Sequence, residues 1–216
     1  MNKIPRCEEL FDISHTIAGE LLSKCEYPYL ALDKIDSFIM EWVKNLPEDY
    51  SETEPGVYVA RTAKIWKGAT ICPPAIIGHR TELRPGAFIR GSVIIGDDAV
   101  IGNSTEIKNS IVLDLAQLPH YNYVGDSIIG YKAHLGAGAI ASNLRLDRRE
   151  ISIKDYEDRL PTGRRKLGVL MGDKAEVGCG CVICPGTVIC PGAMIYPLLS
   201  VRGVVPANSI YKGDRY

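Results

Sequence analysis

From Val59 to Leu113 every sixth residue is aliphatic: Val59, Ile65, Ile71, Ile77, Leu83, Ile89, Ile95, Ile101, Ile107 and Leu113. Two places before most of these stands a small residue, as at Ala63, Ala69, Ala75, Thr81, Ala87, Ala99 and Thr105. The residue after is often glycine or charged, as at Gly78, Arg84, Arg90, Gly96, Gly102 and Lys108. A six-residue period is the signature of a parallel β-helix. Each unit supplies a short strand and a corner, and three units close one triangular coil. The aliphatic residue fills the interior, and glycine at a corner tolerates positive φ. Coils stack at the strand spacing of roughly 4.8 Å. The phase slips by four residues, resumes at Tyr123, Ile129, Leu135 and Ala141, and returns after a charged insertion at Met171, Val177, Ile183, Ile189, Ile195 and Val201. The expected fold is an all-β core, a parallel β-helix over 55–216, with an insertion at 143–168.

Residues 1–54 break the pattern and predict a small helical segment. ISHTIAGELLSK has apolar residues at helical spacing, with Asp12 as its N-cap. ALDKIDSFIMEWVKNL reads the same way and stops before Pro47. Two such helices cannot form a core alone, so they are expected on an end or flank of the β-helix, covering an open sheet edge. In the insertion, EISIK is expected to pair with KLGVL, with the Arg164, Arg165 and Lys166 cluster between them. That piece reads either as a solvated hairpin or as a lid or phosphate-binding arm.

Bulk properties narrow the function. The chain has 216 residues and a net charge of −1. With no long basic run, no nucleic-acid partner is expected. No apolar run approaches the ~18 residues of a membrane span. MNKIPRCEELFD has no apolar core of a signal peptide. Seven cysteines without an export signal fit a reduced, cytoplasmic setting.

An apolar prism leaves its chemistry to the outer faces, corners and insertions. Residues 18 apart share a corner on successive coils, which stacks Cys72, Arg90 and Lys108. Stacked cations repel unless an anion or an acidic partner lies between them. That leaves a sugar phosphate or a salt-bridged surface. His120 falls in the phase slip, where a bulge re-aims a side chain outward. It is the candidate general base, with Glu106 of the right charge to orient it. The cysteines of CGCVICPGTVIC (Cys179, Cys181, Cys184, Cys190) do not converge: Cys181 takes a small inward position, and Cys184 and Cys190 take different corners. No metal site is expected, because tetrahedral ligation needs convergence.

The run from GNSTEIK through PHYNYVGDSIIGYKAHLGAGAIASN resembles the acetyltransferase half of bifunctional N-acetylglucosamine-1-phosphate uridylyltransferases (GlmU) and related archaeal sugar-1-phosphate nucleotidylyltransferases. The helical start and the ending VRGVVPANSIYKGD are similar to short proteins described as pyrophosphorylase-related. The resemblance implies a left-handed β-helix and a homotrimer with each site between two prisms. It implies N-acetyl transfer from acetyl-CoA to an amino-sugar phosphate, in sugar-nucleotide metabolism. In HYNYVGD it makes His120 the base and Tyr123 a sugar-phosphate contact. Lys108 becomes a phosphate ligand and Glu106 the partner two before it. The phosphate-binding arginine is Arg90 by spacing and Arg84 by the local LRPGA wording; spacing is favoured. Asn143, with Ala137 and Gly138, falls near the acyl donor.

Two departures stand out. His134 replaces a substrate-contacting asparagine, and Leu144 replaces a tyrosine. Residues 1–55 hold no glycine-rich nucleotidyl-transfer loop, so uridylyl transfer is not expected of these residues. The alternative reading is a non-catalytic sugar-phosphate- or nucleotide-binding module that regulates or partners a nucleotidylyltransferase. A metal-dependent β-helix enzyme would need a third histidine at a repeat-related position, and none is present.

Overall fold

The six-residue period becomes three sheets. In the computed structural model, which describes residues 4–155 and 158–213, the repeat winds into a parallel β-helix. Its first face has nine strands, its second eight and its third seven. Val59, Ile77, Ile95, Val112, Ile129, Met171, Ile189 and Val205 form the inward column of the first face. Leu83, Ile101, Leu118, Leu135, Val177 and Ile195 line the second, and Ile89, Ile107, Val124, Ala141, Ile183 and Val201 the third. The small residue of each unit is buried beside them. Where it is threonine, its hydroxyl is bonded, as in Thr81 to the Gly96 carbonyl (2.6 Å) and Thr105 to that of Leu118 (3.1 Å).

The phase slip differs from the expectation. No four-residue bulge forms. Two coils are each shortened by one residue at the corner joining the third face to the first, so that Ile107 is followed inward by Val112, and Val124 by Ile129. Leu113 therefore points outward, and so does half-buried Tyr123. Tightening this corner buries Ser110 and Ser127, whose hydroxyls bond the carbonyls of Lys108 and Gly125, both at 2.8 Å.

The N-terminal segment lies on a flank, against the first face, and the insertion packs on the last strands of that face. The outward residues of that face are also apolar: Ile76, Ile94, Ile111, Ile128, Leu170 and Val188. All are buried, against a cluster that includes Leu10, Leu22, Leu32, Ile35 and Ile39. Burying each such side chain stabilises by about 1.5–3 kcal/mol. The open edge of this face is covered by an antiparallel strand, Tyr50–Glu54, paired with Val57–Ala60. The second helix forms as expected, over Ile35–Trp42 between two 3₁₀ turns, and the chain leaves helix before Pro47. The first is shorter, Gly19–Ser23, because Asp12 closes a local turn instead, accepting from the N–H (3.1 Å) and hydroxyl (2.7 Å) of Ser14.

A carboxylate ladder runs up the corner between the first and second faces. Asp97 accepts from the N–H of His79, and Asp114 from that of Asp97, each at 2.8 Å. Asp173 accepts from Tyr131 (2.8 Å) and from Asp12 (2.7 Å), which ties the N-terminal segment to the prism. Burial pushes the Asp114 and Asp173 carboxyls above their usual range, and these backbone donors pull them partly back.

The insertion is a hairpin, with a different partner from the one expected. Ile151–Asp155 pairs with Asp158–Arg164, while Val169–Met171 of KLGVL belongs to the first face. One side of the hairpin is packed, since Ile151 and Ile153 are buried in the cluster on the first face, while Asp158–Arg164 is half-buried or exposed along its length. Arg164 of the hairpin pairs with Asp33 of the N-terminal segment. Tyr156 and Glu157 of this insertion, with residues 1–3 and 214–216, lie outside the described residues.

Candidate active site

With the first face closed, the candidate residues fall on the second and third faces. Arg84, Gln117, Pro119, His120, His134, Gly136, Ala137 and Cys179 line an open groove of about 560 Å³ on the second face. His120 ends the strand Gln117–His120, in an ordinary six-residue step between Leu118 and Val124, so a strand end rather than a bulge turns it outward. The left-handed Tyr121 (φ 52°) makes the corner that follows. The His120 N–H donates to Asn122 (3.2 Å), and its carbonyl accepts from Gly138 (3.0 Å). Gly138 holds φ 70°, with nothing within 4 Å of the place a side chain would occupy, so this rim of the groove is open.

His134 lies one strand away, in register with Gln117, and its Nδ1 is 2.8 Å from the Glu176 carboxylate on the next strand. Arg84 sits at the other end of the groove, beside Glu82 at 3.2 Å.

The third face carries the remaining candidates. Cys72, Arg90 and Lys108 do stack, but the cations have in-chain partners. Arg90 pairs with Glu106 at 2.6 Å, and Lys108 with Asp126 at 3.4 Å. Within one copy, Glu106 pairs with Arg90 on the face next to that of His120. Asp126 is buried, and also accepts from Asn109 (2.8 Å) and Asn143. Tyr123 lies beside Asn143. Its burial, with the Glu106 and Asp126 carboxylates, pushes its hydroxyl up. Gly125 is what lets these groups meet. A Cβ there would lie 2.6 Å from the Tyr123 hydroxyl and 2.7 Å from the Asn143 amide nitrogen.

The predicted residues thus form two groups, His120, His134, Arg84 and Ala137 on one face and Arg90, Glu106, Lys108, Tyr123 and Asn143 on the next. Of the two arginines, Arg84 shares the groove with His120, although spacing favours Arg90. Sequence reasoning missed Glu176 and Asp126. Asp126 is the last letter of HYNYVGD. Glu176 is hidden because the insertion stretches one coil step between His134 and its neighbour to 42 residues.

Comparison with known proteins agrees with this architecture. A family profile described as "GMPPB C-terminal domain" matches residues 71–156. The chain is 35% identical over 150 residues to a bifunctional sugar-1-phosphate nucleotidylyltransferase/acetyltransferase of Sulfurisphaera tokodaii, covering 69% of this chain and 37% of that one. It is 38% identical over 102 residues to the bifunctional protein GlmU of Methanocaldococcus jannaschii, covering 47% and 25%. The chain therefore spans well under half the length of these bifunctional relatives. With the uncharacterized acetyltransferase YaiX of Escherichia coli O6:K15:H31 it shares 32% identity over 158 residues, 73% of this chain and 69% of that one. A repeat-built prism, with a histidine-lined groove and likeness along most of its length, places the chain in the hexapeptide-repeat acetyltransferase family to which the YaiX proteins belong.

Proposed function

We propose that the chain is a CoA-dependent N-acetyltransferase acting on an amino-sugar phosphate, as a cytoplasmic homotrimer. One observation carries this reading: the two groups of candidate residues stand on adjacent faces, the second and the third, and the first face is closed. Three copies can form a ring only by setting the second face of one against the third face of the next. Each site would then combine His120, His134 and Arg84 of one copy with Arg90, Lys108, Tyr123 and Asn143 of its neighbour.

In this arrangement the amine attacks the thioester carbon, a C–N bond forms and the C–S bond breaks. His120 takes the proton of the attacking nitrogen and returns it to the CoA thiolate. The cationic groups hold the phosphate. Ala137 and Gly138 form the open rim where the acyl donor lies, and backbone amides hold the oxyanion. Among the described residues no helix is long and apolar enough to cross a membrane.

The test is release of free thiol from acetyl-CoA with a panel of amino-sugar 1-phosphates and their unphosphorylated counterparts. The expected result is turnover with the phosphorylated acceptors only. Binding of sugar phosphate without turnover of any acyl donor would instead identify a binding or regulatory module.

A further inference from the structure

A sugar amine reaches a transferase mostly as an ammonium ion at neutral pH, as a chain α-amino group does near its pKa of about 7.7–8.0. It must lose two protons to become an amide. One leaves before the nitrogen can attack, and the other leaves as the amide forms. The groove on the second face holds two histidines, and they are differently equipped.

No side chain among the described residues bonds the His120 ring, whereas the His134 Nδ1 lies 2.8 Å from Glu176. A carboxylate at that distance accepts the Nδ1–H. It fixes the tautomer with Nε2 as acceptor, and balances the charge the ring takes up. Both histidines line the same groove, so both can face one acceptor. The other charged or titratable groups there are Arg84, itself beside Glu82, and Cys179. Glu176 is thus the carboxylate that an ammonium group can meet through His134 without an intervening in-chain cation.

We propose that His134 and Glu176 form a dyad that receives the acceptor in its ammonium form and removes the first proton, leaving the second to His120. This rests on the acyl-transfer reading. The protons balance: R–NH₃⁺ gives one proton to His134 Nε2, which holds it while the amine attacks and passes it to water afterwards. The free amine attacks the thioester carbon, and the second proton passes through His120 to the CoA thiolate. The products are the amide, free thiol and one proton. An asparagine in place of His134 would hold the acceptor but could not take its proton.

The experiment is the pH profile of kcat/KM for the wild-type chain and for His134→Asn, Glu176→Gln and His120→Ala, with one amino-sugar 1-phosphate as acceptor. In the wild type, kcat/KM per total amine stays nearly level from the pKa of the acceptor amine down to the ordinary imidazole value of about 6.5, below which the two bases are lost. In His134→Asn it falls by roughly tenfold per pH unit there, following the free-base fraction, and converges on the wild type above that pKa. Glu176→Gln shows the same convergence. His120→Ala is depressed at every pH.

A His134→Asn or Glu176→Gln profile that runs parallel to the wild type would overturn the dyad and leave acyl transfer standing. A wild-type profile that itself follows the free-base fraction would do the same. Absence of wild-type turnover at every pH would overturn the acyl-transfer reading, and the dyad with it.

Discussion

His120→Ala is expected to lower kcat for acetyl transfer by a factor of about 10²–10⁴, the contribution usual for a positioned general base. The same substitution is expected to leave the melting temperature unchanged. The His120 side chain is exposed at the end of a strand, and the strand is held by backbone bonds that alanine keeps. Loss of activity with loss of folding would point to a structural role. Full activity would remove His120 from the chemistry. Single-turnover thiol release beside a thermal melt separates these outcomes, and acceptor binding, assigned in the proposed site to Arg90, Lys108 and Tyr123, is expected to survive.

The second large effect is on stability. Ile111 sits outward on the first face, a position that would tolerate any polar residue if that face met water. It is instead fully buried beneath the N-terminal segment. Ile111→Ala is expected to destabilise by about 2–5 kcal/mol, a fall in Tm of roughly 5–15 °C for a chain of this size. Ile111→Asp is expected to cost more, because it buries a charge without a partner. It should also free the N-terminal segment to limited proteolysis. A Tm change within the range of an ordinary surface substitution, about ±0.5 kcal/mol, would mean that the segment does not seal this face.

The inward columns are legible because they obey one period, kept by residues such as Ile77 and Ile95 before the slip and Ile183 after it. The slip was misread because two one-residue contractions leave the same offset as a four-residue insertion. Only the strand register, Ile107 opposite Val124 and Ile111 opposite Ile128, tells them apart. The helices are expected on an end or a flank, and the sequence holds the signal that decides for the flank. AII, VII and SIV carry two adjacent aliphatic residues, one for the interior and one for a second core, where an exposed face would alternate with polar residues.

At the site, HYNYVGD pointed to His120 and Tyr123, and to the 18-residue stack of Arg90 on Lys108. Spacing could not show that Glu106 turns to Arg90, because that choice depends on side-chain reach across a coil. Nor could it pair His134 with Glu176 across the hairpin.

The measurement that most directly tests the shared site is complementation between two inactive variants. One carries His120→Ala on the second face, and the other carries Arg90→Ala with Lys108→Ala on the third. Co-expressed in equal amounts, random three-fold rings would hold intact sites at about a quarter of their interfaces. The account predicts recovery of about a quarter of wild-type thiol release, although neither variant is active alone. Mixed rings that stay inactive would contradict it, and would place the whole site within a single copy.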